Sequence, residues 1–143
     1  MIKKNKIAIF DIDGTIFRKN LAFELINELA WMKIFPRSVR EELVDVYGDW
    51  LNHEGTYEAY RIKLVELYEK NLQGKNQEDI IEASKRVAQF NSKRTYIYAK
   101  RIIEEMRNDH MMLVISGSPV EIVKEYSDNF QFDGYFGSVY EVD

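Results

Sequence analysis

Two stretches of the chain concentrate residues able to do chemistry. In IAIFDIDGTIF, residues 7–17, an apolar run ends in Asp11 and Asp13, with Gly14 and Thr15 directly behind them. In ISGSP, residues 115–119, a second apolar run ends in Ser116 and Gly117, ahead of Ser118 and Pro119. A hydroxyl followed by a residue without a side chain, just before a helix, can offer a phosphate oxygen an O–H, backbone N–H groups and the positive end of the helix dipole. The same stretch also reads as an ordinary helix start, with Ser118 as N-cap, Pro119 at the first helical position and Glu121 closing a capping box. That reading leaves Ser116 and Gly117 unexplained. For the first stretch, Asp-Gly between apolar residues is a hairpin-turn signal. A calcium loop is excluded, because counting from Asp11 it needs glycine sixth and glutamate twelfth, where the chain has Ile16 and Ala22.

The elements around these stretches follow from hydrophobic period. The apolar run up to Phe10 is too short for a helix and does not alternate, which predicts a strand covered on both faces of a parallel sheet. Helical period then takes over. Leu21, Leu25, Leu29 and Met32 follow one face as far as Pro36; Ser38 with Glu41 predicts a capping box, and Val39, Leu43, Val46 and Trp50 continue a second stripe. His53-Glu54-Gly55 breaks the pattern before a third stripe of Tyr57, Tyr60, Leu64, Leu67 and Tyr68, and a fourth of Ile80, Ile81, Val87 and Ala88. The aromatic residues among them, Trp31 and Trp50 included, read as core. From Ser92 the period alternates: a helix on Tyr98, Ile102 and Met106, a buried strand from Met111 to Ile115, a helix from Pro119 to about Ser127, and a strand from Tyr135 to Val142. The predicted fold class is α/β: a partial doubly wound parallel sheet of Rossmann-like type with an inserted helical-bundle cap. Residues 1–17 and 91–143 form the α/β core and residues 18–90 the cap. Such sheets bind ligands at the carboxyl ends of their strands, where both chemical stretches lie.

Composition narrows the partners. With 143 residues, 45% apolar and 31% charged, the chain has the size and balance of a soluble single-domain protein. Its net charge is −4 and its basic runs do not exceed Lys3-Lys4 in length, so no nucleic-acid partner is expected. No apolar run is long enough for a signal peptide or a membrane span, and there is no cysteine, so no membrane partner is expected and the cytoplasm is the default compartment. His53 and His110 lack the paired spacing of a metal site, and Lys100 and Lys124 read as surface lysines on helices.

DIDGT at 11–15 and SGSP at 116–119, with a helical cap between them, resemble the first and second motifs of the haloacid dehalogenase superfamily of phosphotransferases, and most of all its phosphoserine phosphatase-like subgroup. The resemblance implies that Asp11 attacks phosphorus and becomes an aspartyl phosphate, and that Asp13 protonates the leaving oxygen and then activates water. It implies that Ser116 and Gly117 bind the phosphoryl group and that Gly14 and Thr15 support the turn. It further implies a Mg2+ cofactor held by the Asp11 side chain and the Asp13 carbonyl, and a small phosphorylated metabolite as substrate. Arg18, Asn20, Glu24, Glu54 and Arg61, near breaks in the cap, are candidates for substrate contact. The family pattern continues with a lysine and further acidic metal ligands after the point where this chain ends. The expectation is therefore that the C-terminal part of the site is lacking and that the first strand is an open edge suited to self-association. The reading is a magnesium-dependent phosphomonoester hydrolase; the alternative is a phosphate-binding or interaction fragment without turnover.

Overall fold

The computed structural model describes residues 4–143. Three strands, β1 (Lys6–Asp11), β2 (His110–Pro119) and β3 (Gly134–Ser138), pair in parallel in the order β1-β2-β3. β-Branched and aromatic residues such as Ile7, Ile9, Val114, Ile115 and Tyr135 suit their extended backbone. The register sets Asp11 opposite Ile115, so the carboxyl ends of β1 and β2, with both chemical stretches, fall side by side. Beyond Ile115 the pairing of β2 with β3 slips, and it resumes at Pro119 opposite Ser138.

Six helices accompany the sheet among the described residues: α1 (Leu21–Trp31), α2 (Arg37–Leu51), α3 (Tyr57–Leu72), α4 (Gln77–Phe90), α5 (Ile97–Met106) and α6 (Val120–Asn129). The chain divides into two compact units, Met1–Leu21 with Ser84–Asp143, and Ala22–Ala83. In the first, α6 carries the crossover from β2 to β3, as a parallel pair requires, and packs on both strands with Ile122, Val123 and Tyr126 buried. In the second, α2 packs on α3 around Val39, Leu43, Leu64 and Leu67. A cluster of rings sits beside them, where Trp50 stacks on Tyr60 with centroids 5.7 Å apart and planes 8° apart. Thr56 caps α3, its hydroxyl accepting from the Ala59 N–H at 3.0 Å.

Several sequence expectations are corrected. β1 is not covered on both faces: Ile7 and Ile9 are 63% and 60% exposed, on the same face as the exposed Met111, Ile115 and Phe136. An apolar run records that both faces are apolar, not that both are covered. Trp31 is not core but 77% exposed, because two residues past Leu29 carries it roughly 200° around the helix from the buried stripe. The capping box of Ser38 and Glu41 does not form, since α2 starts at Arg37 behind Pro36 and Ser38 lies inside the helix. The last strand stops at Ser138, short of Val142. No helix of the described residues is long and apolar enough to cross a membrane.

Candidate active site

The backbone behind Asp11 folds into a turn gathered on one carbonyl. The N–H groups of Thr15, Ile16 and Phe17 all donate to the Ile12 oxygen, at 3.1, 3.0 and 2.9 Å, and the Gly14 N–H donates to the Phe17 oxygen at 2.9 Å. Gly14 has φ +73°, a left-handed conformation that a residue without Cβ adopts at little cost. Ile12, Ile16 and Phe17 are fully buried and anchor the turn, Phe17 against the ring of Tyr126 at 5.6 Å. Burial at that contact pushes the Tyr126 phenol well above its ordinary range. The Tyr96 N–H donates to the Ile16 oxygen and the Arg18 N–H to the Arg94 oxygen, both at 3.0 Å, tying the turn to the segment ahead of α5. The hairpin reading of Asp-Gly is thus replaced: β1 pairs in parallel with β2, and the turn does not return the chain to β1.

This turn presents the two carboxylates differently. Asp11 is exposed, and Thr15 Oγ1 donates to its Oδ2 at 2.9 Å. Asp13 is half-buried and densely bonded: Oδ1 accepts the Leu21 N–H at 2.7 Å, and Oδ2 accepts the hydroxyls of Ser116 at 2.8 Å and Ser118 at 3.3 Å. Burial raises the Asp13 carboxyl above the ordinary aspartate range. The Leu21 N–H and the Ser116 hydroxyl pull it back, the Asp11 charge pushes it up again, and Ser118 lowers it slightly.

Strand alternation explains the serines. Ser116 and Ser118, two residues apart, are buried on one side of the extended chain while Gly117 between them is exposed. Ser138 Oγ on β3 donates to the Gly117 carbonyl at 2.8 Å, and the Ser118 N–H donates to Ser116 Oγ at 3.1 Å. The ordinary helix-start reading of ISGSP is corrected: α6 begins at Val120, its N-cap is Pro119, and no side chain caps it. The Ser118 hydroxyl turns to Asp13 instead.

Of the residues singled out from sequence, Asp13 and Ser116 meet across 103 positions of chain, and Asp11 and Thr15 meet within the turn. Gly117 lies beside this group with no atom within 4 Å of where a Cβ would stand. Ser118 and the Leu21 N–H were missed. The i, i+2 spacing of Ser116 and Ser118 could have revealed the first, whereas a backbone donor has no side-chain signature. Lys124 pairs with Asp128 at 2.8 Å on the surface, and Arg61 pairs with Glu58 at 2.9 Å. His110 Nδ1 contacts Asp109 at 2.6 Å, and His53 closes α2 with φ 60°. The Asp11 carboxylate and the Asp13 carbonyl are hard oxygens, the kind of donor that Mg2+ takes. No group of three or more His, Cys, Asp or Glu that could hold a metal is present among the described residues.

A sequence model of the haloacid dehalogenase-like hydrolase family matches residues 8–143, and the chain belongs to that family. Its fold is that of solved haloacid dehalogenase-type proteins. It matches a substrate-bound phosphoserine phosphatase complex at 22% identity and TM-score 0.58, covering 99% of this chain and 59% of that one. A phospho-aspartyl intermediate analogue of phosphoserine phosphatase matches at 22% identity and TM-score 0.55, with the same two coverages. A protein of unknown function from Bordetella pertussis Tohama I matches at 12% identity and TM-score 0.71, covering 99% of this chain and 63% of that one. The chain thus spans about three fifths of the length of these structures. No curated protein matches it.

Proposed function

We propose that the chain carries the nucleophile and phosphate-binding parts of a magnesium-dependent phosphomonoesterase that acts on a small phosphorylated metabolite in the cytoplasm. The observation that carries this reading is the Ser116–Asp13 hydrogen bond, which joins the two chemical stretches at adjacent strand ends. An exposed Asp11 carboxylate oxygen attacks phosphorus and the bond to the ester oxygen breaks, leaving an aspartyl phosphate. Asp13, its carboxyl raised by burial, gives its proton to the leaving oxygen. The Asp13 carboxylate then takes a proton from water as that water attacks phosphorus, releasing phosphate and restoring Asp11. Ser116 donates its hydroxyl to a phosphoryl oxygen, and the open side of Gly117 lets another approach the backbone. Thr15 holds Asp11, and Gly14 allows the turn that sets both aspartates. The Asp11 side chain and the Asp13 carbonyl would hold Mg2+, which supplies neutralisation of phosphate charge when bound.

In this reading residues 1–17 and 91–143 are the catalytic core and residues 18–90 a cap that selects substrate. The exposed Ile7 and Ile9, on a strand at the end of the order β1-β2-β3, support self-association through β1. The test is hydrolysis of p-nitrophenyl phosphate and phosphoserine with and without Mg2+, by wild type and Asp11→Asn. Metal-dependent turnover abolished in the variant is the expected result. An Asp11→Asn protein of near wild-type rate overturns the reading, and a wild type that binds inorganic phosphate without turnover supports the non-catalytic alternative.

A further inference from the structure

The geometry points to Ser118 as the positioning residue that holds Asp13 during turnover, an inference that rests on the phosphatase reading. The Ser116 hydroxyl has one proton, which goes to Asp13 Oδ2 in this structure. Once a phosphoryl oxygen takes that proton, Asp13 keeps two donors, the Leu21 N–H on Oδ1 and the Ser118 hydroxyl on Oδ2. A carboxylate held through one oxygen alone swings about that bond, because its terminal torsion is broad. Ser118 supplies the second point of attachment.

Its surroundings suit that task. Ser118 is 3% exposed, and the N-cap residue of α6 is Pro119, which makes no side-chain bond. Its backbone is wedged in place by β3: a Cβ on Gly137 would stand 3.0 Å from the Ser118 carbonyl oxygen and 2.8 Å from Val120 Cα. The pairing of Pro119 with Ser138 resumes on the other side. A serine so fixed, two residues from the phosphate-binding Ser116 and on the same side of the strand, keeps Asp13 aimed while Ser116 changes partner.

The test compares wild type, Ser118→Ala and Ser118→Thr on an alkyl ester, phosphoserine, and an aryl ester, p-nitrophenyl phosphate. A hydrogen bond between neutral groups corresponds to about a threefold to tenfold effect. We expect Ser118→Ala to lower kcat on phosphoserine by about that factor with KM unchanged, to leave the rate of the p-nitrophenol burst nearly unaffected because forming the aspartyl phosphate from an aryl ester needs little leaving-group protonation, and Ser118→Thr to restore the rate on phosphoserine. A loss in the p-nitrophenol burst as large as the loss on phosphoserine, a loss confined to KM, or no loss at all overturns the role of Ser118. A wild type that hydrolyses neither ester, or an Asp11→Asn protein that hydrolyses both, overturns the phosphatase reading itself and this inference with it.

Discussion

Replacing Gly137 by alanine should damage the protein more than its size suggests, because the added methyl meets backbone. A Cβ there would lie 2.8 Å from Val120 Cα, 3.0 Å from the Ser118 oxygen and 3.1 Å from the Val120 nitrogen. Ordinary carbon–carbon contact begins near 3.5 Å, so β3 and the start of α6 must part by about 0.7 Å. None of the three atoms can rotate away, which places the cost in the upper part of the overpacking range, about 2–3 kcal/mol. Gly134 is the control, since its Cβ would meet only the end of the Leu113 side chain, at 2.7 Å, and that side chain can change rotamer. Urea unfolding followed by circular dichroism should show Gly137→Ala losing about 2 kcal/mol and Gly134→Ala clearly less. Because the Ser118 carbonyl moves with the displaced backbone, Gly137→Ala should also slow turnover. Equal losses at the two glycines, or a loss at Gly137 below about 0.5 kcal/mol, would refute the claim that β3 wedges the Ser118 backbone.

Asp13 links stability to pH. Its folded carboxyl titrates above the ordinary aspartate value of 3.8, so the folded chain holds that proton more tightly than the unfolded chain. The resulting stabilisation is complete below 3.8 and is lost as pH rises through the raised folded value. The difference in melting temperature between wild type and Asp13→Asn, followed against pH, should therefore fall across that window for the wild type, and a flat or rising difference would reverse the assignment. Thr15→Val removes the donor to Asp11 Oδ2, an exposed bond whose loss should cost under about 1 kcal/mol of stability yet slow turnover several-fold, as paired melting and rate measurements would read. Ile9→Lys puts a charge on the open face of β1 and should shift the sedimentation of an associating wild type to monomer; a wild type monomeric at all concentrations contradicts self-association.

The alternation of period along the chain made the α/β core and the helical insertion legible, because Leu25, Leu29, Leu43, Leu64 and Leu67 recur at helical spacing while the runs ending at Phe10 and Ile115 do not. Asp11, Asp13 and Ser116 were legible because acidic and hydroxyl residues closing apolar strands have little packing reason to be there. Ser118 was hidden by a competing rule: a serine ahead of proline is a good helix start, and only the continuation of β2 through Pro119 turns its hydroxyl elsewhere. The Leu21 N–H left no trace, since any residue at that position donates the same hydrogen. Exposure of Ile7, Ile9 and Trp31 was misjudged because hydrophobicity records what a face could bury, whereas burial depends on which elements reach it.

The central claim is that Asp11 takes the phosphoryl group from its substrate. Wild type mixed with phosphoserine and Mg2+, quenched in acid within one turnover and digested, should yield the peptide containing Asp11 heavier by the mass of one phosphoryl group. Fragmentation should place that mass on Asp11, and Asp11→Asn should abolish it. Hydrolysis of phosphoserine with no label on Asp11, or with the label on another residue, would contradict the account.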